Sequence, residues 1–269
     1  MDAHKIRELA ASMRRKILDI SHRCNMSAHL GGGLSIVEIT ATLYGAVMRF
    51  DPKRPDWHER DRFILSKGHG VLGYFTALHA VGLIPDEVLD TFQTNESPLI
   101  AHPVMNLDLG IESSNGSLGQ GLSMAVGMAL GARKRGRANR VYVLLGDGEC
   151  NEGSVWEAAM SAAHYQLDNL VAIVDRNRFQ SDGDGGSVMN SDDMQSKWAS
   201  FGWDAERVDG HDVERLYAAL TRAHRNQAPK VLVAETVKGK GVAFMENNNE
   251  WHHNRLTKTH YERALLELG

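Results

Sequence analysis

The sequence predicts an α/β protein, a parallel sheet flanked by helices on both faces. Three observations carry this. VYVLL (141–145), LVAIV (170–174) and VLVAE (231–235) are unbroken apolar runs rich in β-branched residues. Strands buried on both faces of a sheet read this way, whereas half-exposed strands alternate. Helical patterns separate the runs, SVWEAAMSAAHY over 154–165 and VERLYAALTRAHR over 213–225, which is the order that builds parallel pairs. Each run also ends in polar or glycine residues: Gly146-Asp147-Gly148, Asp175-Arg176-Asn177, and the glycines of KGKG (238–241). Sheets of this kind bind ligands beyond the carboxyl ends of their strands.

Upstream, Ile6, Leu9, Met13, Ile17 and Ile20 recur at helical spacing, so 4–23 reads as an amphipathic helix. HLGGGLS (29–35) follows, with three glycines that permit a turn or a close backbone approach. Ser35 is placed to cap a second helix, IVEITATLYGAVM, with Glu38 completing a capping box. DPKRPDWHERD (51–61) reads as an exposed loop, and FILSKGHG (63–70) as a short apolar run breaking into glycine. Met124 and Met128 at helical spacing read as core packing. The loosest stretch, roughly 180–193, reads as a surface loop over the site.

Composition narrows the function. Of 269 residues 42% are hydrophobic and 24% charged, as in globular domains, which excludes disorder and a disulfide scaffold. Lys and Arg number 30 against 34 Asp and Glu, a net charge of −4 that argues against nucleic-acid binding. The two cysteines, Cys24 and Cys150, fit a reducing compartment. The N-terminus interleaves charge with apolar residues, so a signal peptide is not expected, nor is a membrane span. A cytoplasmic location is the expectation.

The residue pattern itself points to a phosphate and a divalent cation. Asp147 and Asn177 stand thirty positions apart, one strand–helix–strand unit, so both leave neighbouring strands at one sheet edge. A carboxylate and an amide oxygen there can take two places on an octahedral cation whose other ligands are waters and phosphate oxygens. Gly148 lets a backbone N–H face a phosphate at the following helix. Alone, Asp147-Gly148 would be read as a turn; Asn177 changes that. His79, His164 and His211, by contrast, read as structural or solvated, and Cys150 as unreactive. The order of glycines in GSLGQG (116–121) lends a dinucleotide fold little support.

GDGECNEG, followed after one helix and one strand by DRNRF, resembles the signature of thiamine-diphosphate enzymes, and its surroundings resemble transketolases in particular. MSAHLGGGLS, LSKGHG, AHPV, NGSLGQGLSMAVGMALG and KGKGVAFMENNNEWHH are similar to five further motifs of that family, in family order, over nearly the whole chain. The resemblance implies that Asp147 and Asn177 bind Mg²⁺ (or Ca²⁺ or Mn²⁺) by side chain and Phe179 by its carbonyl. It places Gly148, His69, Lys238 and His252 around the diphosphate, and Gly116 and Leu118 beside the cofactor rings. His29, His69, His102 and His252 would line the substrate funnel as catalytic groups, with His253 competing for the last place. Glu152 resembles a buried glutamate that links the two cofactor sites of an assembled dimer. Two departures, Leu30 after Ala28-His29 and Ala101 before His102, bear on the substrate more than on the cofactor.

The same resemblance implies one thiamine-diphosphate-binding domain over 1–269. The pyrimidine-binding and C-terminal domains of a transketolase would then lie on a separate chain. The expected assembly is α2β2, acting on sugars or sugar phosphates, with neither nucleic acid nor membrane as partner. Three other readings stand beside it: the α-subunit of a 2-oxo acid dehydrogenase, half of a 1-deoxyxylulose 5-phosphate synthase-like enzyme, and a non-catalytic scaffold.

Overall fold

A computed structural model describes residues 1–191 and 193–269; of the loose stretch, Asp192 lies outside the described residues. Five parallel strands form the sheet: β1 (Arg62–Leu65), β2 (Val141–Gly146), β3 (Leu170–Arg176), β4 (Asp204–Asp209) and β5 (Lys230–Glu235). Their spatial order is β1-β2-β3-β5-β4. The three apolar runs are its three central strands. Both edge strands are harder to see in the sequence, because β1 is four residues long and β4, Asp-Ala-Glu-Arg-Val-Asp, is mostly polar.

Alternation along the strands splits the interior into two cores. Phe63, Leu65, Tyr142, Leu144, Val171, Ile173 and Leu232 join one cluster. Ile64, Val141, Val143, Leu145, Ala172, Val174 and Val233 join the other. The first core is roofed by α1 (Ala3–Arg23), α2 (Leu30–Leu34), α3 (Val37–Thr42), α4 (Val71–Ala80) and α8 (Val213–Thr221). The second is roofed by α5 (Gly121–Lys134), α6 (Gly153–His164) and α7 (Met194–Ser200). Helices on both faces are what the apolar strands required.

Some expectations are corrected. Ser35 does not cap a helix N-terminus: Ile36 precedes α3 without a side-chain cap, and Ser35 ends α2. Its hydroxyl donates to Asp175 at 2.7 Å instead, and Glu38 faces Arg14 and His211. A buried carboxylate outcompeted the local cap. Met124 is 40% exposed rather than core, while Met128 packs partly against the second core. Leu30–Val47 does have the length and mean hydropathy (18 residues, 1.3) of a bilayer-crossing helix, contrary to expectation, but 83% of it is buried inside the fold. The loose stretch contains a two-residue antiparallel pairing and a helical turn, Gly185–Val188. Cys150 is buried, and burial pushes its thiol well above the usual range, as an unreactive role requires.

Candidate active site

The site begins where β2 and β3 end. Gly146 pairs with Asp175 in register, and the Asp147 N–H donates to the Asp175 carbonyl at 3.2 Å. Asp147 then turns back. Its Oδ1 accepts from Gly148 N at 2.9 Å and its Oδ2 from Arg178 N at 2.7 Å. The second bond brings Asp147 against the residue next to Asn177. Arg178 has φ +67°, a left-handed conformation that lets the chain fold around the carboxylate. Asn177 Oδ1 accepts from Phe179 N at 3.0 Å. Asp147 and Asn177, both 6% exposed, thus share one corner of the sheet edge.

Beneath that corner lies Asp175, fully buried. Its carboxylate accepts from Asn177 Nδ2 (2.9 Å), Ser35 Oγ (2.7 Å), Thr236 Oγ1 and the Lys67 ammonium. Lys67 is itself fully buried and also donates to the Gly32 carbonyl at 3.0 Å. One ion pair therefore ties together the HLGGGLS, LSKGHG, DRN and strand-β5 segments. Burial alone would raise the Asp175 pKa, but Lys67 and the hydroxyl donors hold it below the usual carboxylate range. Glu149 ties the other flank. It is 2% exposed and accepts from Ser66 Oγ, from Gly119 N at 2.9 Å and from Gly146 N at 3.0 Å. Sequence reading gives neither Lys67, Asp175 nor Glu149 a role. The available signal is a charged residue at the end of each strand, in Ser-Lys-Gly-His, Asp-Arg-Asn and Gly-Asp-Gly-Glu.

The histidines converge. His29 is central, with ring centroids 5.5 Å from His69, 5.6 Å from His102, 5.5 Å from His252 and 4.4 Å from His253. His69 and His252 lie 5.4 Å apart. Four separate chain segments supply these rings, so all four expected histidines meet and His253 joins them. Burial, then the neighbouring imidazoles, pushes His29 down to about 3; burial, then the Lys238 ammonium, pushes His252 to about 4. His102 and His69 are lowered as well, by burial first. These four imidazoles are therefore neutral near pH 7. Neutral imidazoles can both donate and accept, as proton transfer and hydroxyl recognition need.

Lys238 bridges the two parts. Its Nζ donates to Asn249 Oδ1 at 2.6 Å, approaches His252 Nδ1 at 2.9 Å and stands 5.4 Å from the Phe179 ring centroid. This contact distinguishes His252 from the exposed His253. Gly116 lies against His102, a Cβ there falling 3.7 Å from the imidazole, and Leu118 follows it, partly buried. Glu152 is exposed in the single chain, at the start of α6 beside Gly119. Nothing among the described residues covers it, and the buried glutamate of the segment is Glu149.

The residues fit a metal-bound diphosphate, because each is electrostatically incomplete. Burial, with Asp175 nearby, lifts Asp147 to about 6, and a divalent cation would offset that penalty on the carboxylate. Burial, with Lys67 nearby, lowers Lys238 to about 8, and no carboxylate among the described residues pairs with it. His29 Nδ1 is buried without a partner. No group of three His, Cys, Asp or Glu side chains among the described residues could hold a metal. The donors on hand are Asp147, Asn177 and the Phe179 carbonyl, a set that leaves room for phosphate oxygens. A cavity of about 1180 Å³ opens beside Asn177 and Phe179 and extends over His211, but none of the clustered histidines lines it.

Residues 6–269 match the family model described as transketolase, thiamine diphosphate binding domain. The chain belongs to the transketolase family. It is 41% identical to an apulose-4-phosphate transketolase subunit from Actinobacillus succinogenes, over 98% of this chain and 96% of that one. It is 38% identical to a 6-deoxy-6-sulfo-D-fructose transketolase subunit of a Clostridium species, over 95% and 98%. Among solved structures, transketolase from Campylobacter jejuni superposes with a TM-score of 0.91 at 29% identity, covering all of this chain and 43% of that one. The parallel sheet with its flanking helices is thus the α/β fold of transketolases. The chain spans nearly the full length of the subunit relatives and about two-fifths of the long transketolases.

Proposed function

We propose that this chain is the N-terminal, thiamine-diphosphate-binding subunit of a two-chain transketolase. The reaction transfers a two-carbon ketol unit from a ketose phosphate or related sugar to an aldose. One observation carries the reading: the convergence of His29, His69, His102 and His252 next to Lys238 and the Asp147–Asn177 corner. A scaffold subunit would need none of it, and a 2-oxo acid dehydrogenase would not need three histidines from the first half of the chain around one funnel.

Thiamine diphosphate, when bound, supplies the electron sink that ketol transfer requires. The chain supplies the rest. Asp147, Asn177 and the Phe179 carbonyl hold a divalent cation, Mg²⁺ in this reading. Lys238 and His69 would face the diphosphate beside Gly148, its charge offset by the cation. Gly116 and Leu118 lie beside the cofactor rings. His29, His102 and His252 bond substrate hydroxyls and move protons near neutral pH. Glu152, exposed here, becomes buried only if a second chain covers it, as its interface role demands.

A partner chain is part of the proposal, since the near-full-length relatives are named as subunits. Ile100, Val104, Met105 and Leu107 are all exposed beside His102, an apolar patch suited to a partner surface. In this reading the working form is an α2β2 assembly in the cytoplasm. The sugars in the relatives' names, apulose 4-phosphate and 6-deoxy-6-sulfo-D-fructose, support a sugar donor carrying phosphate or sulfonate, with most of the residues that grip that group on the partner. The decisive experiment assays this chain alone and with a candidate C-terminal transketolase subunit, with thiamine diphosphate and Mg²⁺, against a panel of ketose donors. Transfer should appear only in the pair. Transfer by the single chain refutes the two-chain reading; no cofactor-dependent stabilisation of the pair refutes the cofactor reading.

A further inference from the structure

Lys238 sits on a connection outside the sheet, yet its side chain is almost fully buried. Something must fix that connection. Val237 lies just beyond the end of β5, and its N–H finds no strand partner. It donates to His211 Nε2 at 2.8 Å. The same ring has Nδ1 at 2.9 Å from Glu38 Oε2. A nitrogen that accepts from a backbone N–H carries no proton, so the Nδ1 proton goes to Glu38 and the tautomer is fixed. Glu38 is buried and its other oxygen takes the Arg14 guanidinium. Arg14 in turn donates Nε–H to the Lys240 carbonyl at 3.1 Å. Both ends of the Val237–Lys240 segment are therefore held by one buried cluster drawn from α1, α3 and the β4–α8 connection. Burial works against the Glu38 carboxylate, but His211 and Arg14 together keep it ionised.

The segment's inner face is tight. Gly239 N donates to the Gly31 carbonyl at 3.0 Å. A Cβ on Gly31 would lie 3.0 Å from Lys238 Cγ, so the lysine stem already fills the available space. Gly241, at φ +96°, passes Arg14 with no room for a side chain. A small shift of the backbone would move Lys238 Nζ off Asn249 and His252.

We propose that His211, braced by Glu38 and Arg14, is a positioning residue that sets Lys238 for the diphosphate. His211 acts through the backbone of Val237 and does not reach the ligand itself. This rests on the cofactor reading above. Partners that orient a ligating group typically change affinity about ten- to a hundredfold when lost.

Two conservative variants separate the ring's two bonds. Gln places a polar atom near the Nε2 position and can keep the Val237 bond. Asn places one near Nδ1 and keeps only Glu38. In the assembled enzyme, His211→Asn should raise the thiamine diphosphate Kd about tenfold or more with kcat at saturating cofactor little changed, and His211→Gln should stay near wild type. Amide hydrogen exchange on the full chain without cofactor should show Val237 protected in wild type, about tenfold faster in His211→Asn, and restored in His211→Gln. Rapid exchange of Val237 in wild type overturns the proposal without any variant. So does equal behaviour of the two variants, or a loosened segment with unchanged cofactor affinity. If wild type binds no cofactor, the functional reading fails instead, while the exchange measurements still decide the clamp.

Discussion

Asn177 Nδ2 donates to Asp175 Oδ2 at 2.9 Å, and this bond decides which way round the Asn177 amide sits. With nitrogen turned to the carboxylate, the amide oxygen is left for the Phe179 N–H and a cation. The same carboxylate oxygen carries Lys67. Removing it strands a buried ammonium, a change that costs about 3–5 kcal/mol. Asp175→Asn should lower stability to urea by that amount. Adding Lys67→Met should recover more than half, since the double change leaves no buried charge unpaired; no recovery would show that the pair is not what holds the segments.

At Asp147 the trade runs the other way. Its raised pKa, about 6, means that holding the carboxylate ionised at pH 7 costs the unliganded fold more than it costs the unfolded chain. Asp147→Asn should therefore leave the ligand-free chain as stable or more stable, by up to about 3 kcal/mol, while abolishing the melting-temperature rise that thiamine diphosphate with Mg²⁺ produces. Retention of that rise would remove Asp147 from the cation site.

The histidine cluster should make the fold acid-sensitive. His29 and His252 titrate near 3 and 4 when folded, below the unfolded value of about 6.5. The folded chain then binds fewer protons than the unfolded one between those limits, so the contribution is complete above about pH 6.5 and lost as the pH falls toward 4. Urea midpoints should drop between about pH 7.5 and pH 5, and His29→Asn should flatten the slope. A midpoint that rises on acidification would contradict the buried neutral cluster.

Two glycines should respond oppositely to alanine. A Cβ on Gly68 would lie 2.6 Å from the Asn115 carbonyl oxygen and 3.1 Å from Gly116 N, both rigid backbone. Gly68→Ala should cost about 1–3 kcal/mol and weaken cofactor binding, because the displaced segment carries Gly116. Gly127, within α5, has nothing within 4 Å of a Cβ. Gly127→Ala should stabilise by about 0.5–1 kcal/mol. Thermal melts of the two variants test both signs.

The central strands are legible because burial on both faces writes an apolar run that no exposed element imitates. Asp147 and Asn177 are legible because parallel strands carry one-unit spacing into spatial neighbourhood. Ser35 and Glu38 mislead: their spacing fits a capping box, but Asp175 and His211, distant in sequence, claim their side chains. His211 reads as structural or solvated for the same reason, since only the folded chain shows the backbone N–H it receives. Met124 fails because helical periodicity does not say whether a flank is covered. Polar partners that meet across the fold leave no local period, so Lys67, Asp175 and Glu149 emerge only from the structure.

Asp147 and Asn177 ride on the ends of central strands, while His29, His102, His252 and His253 sit on connections between helices and strands. The anchor for the cofactor's charged tail is thus built into the most deeply packed part of the molecule, and the groups that meet the sugar are not. Lineages could exchange one sugar for another by editing a few short connecting segments while the central strands stay untouched. Diversity of substrate among such enzymes would then accumulate at the rim, above a foundation that stays the same.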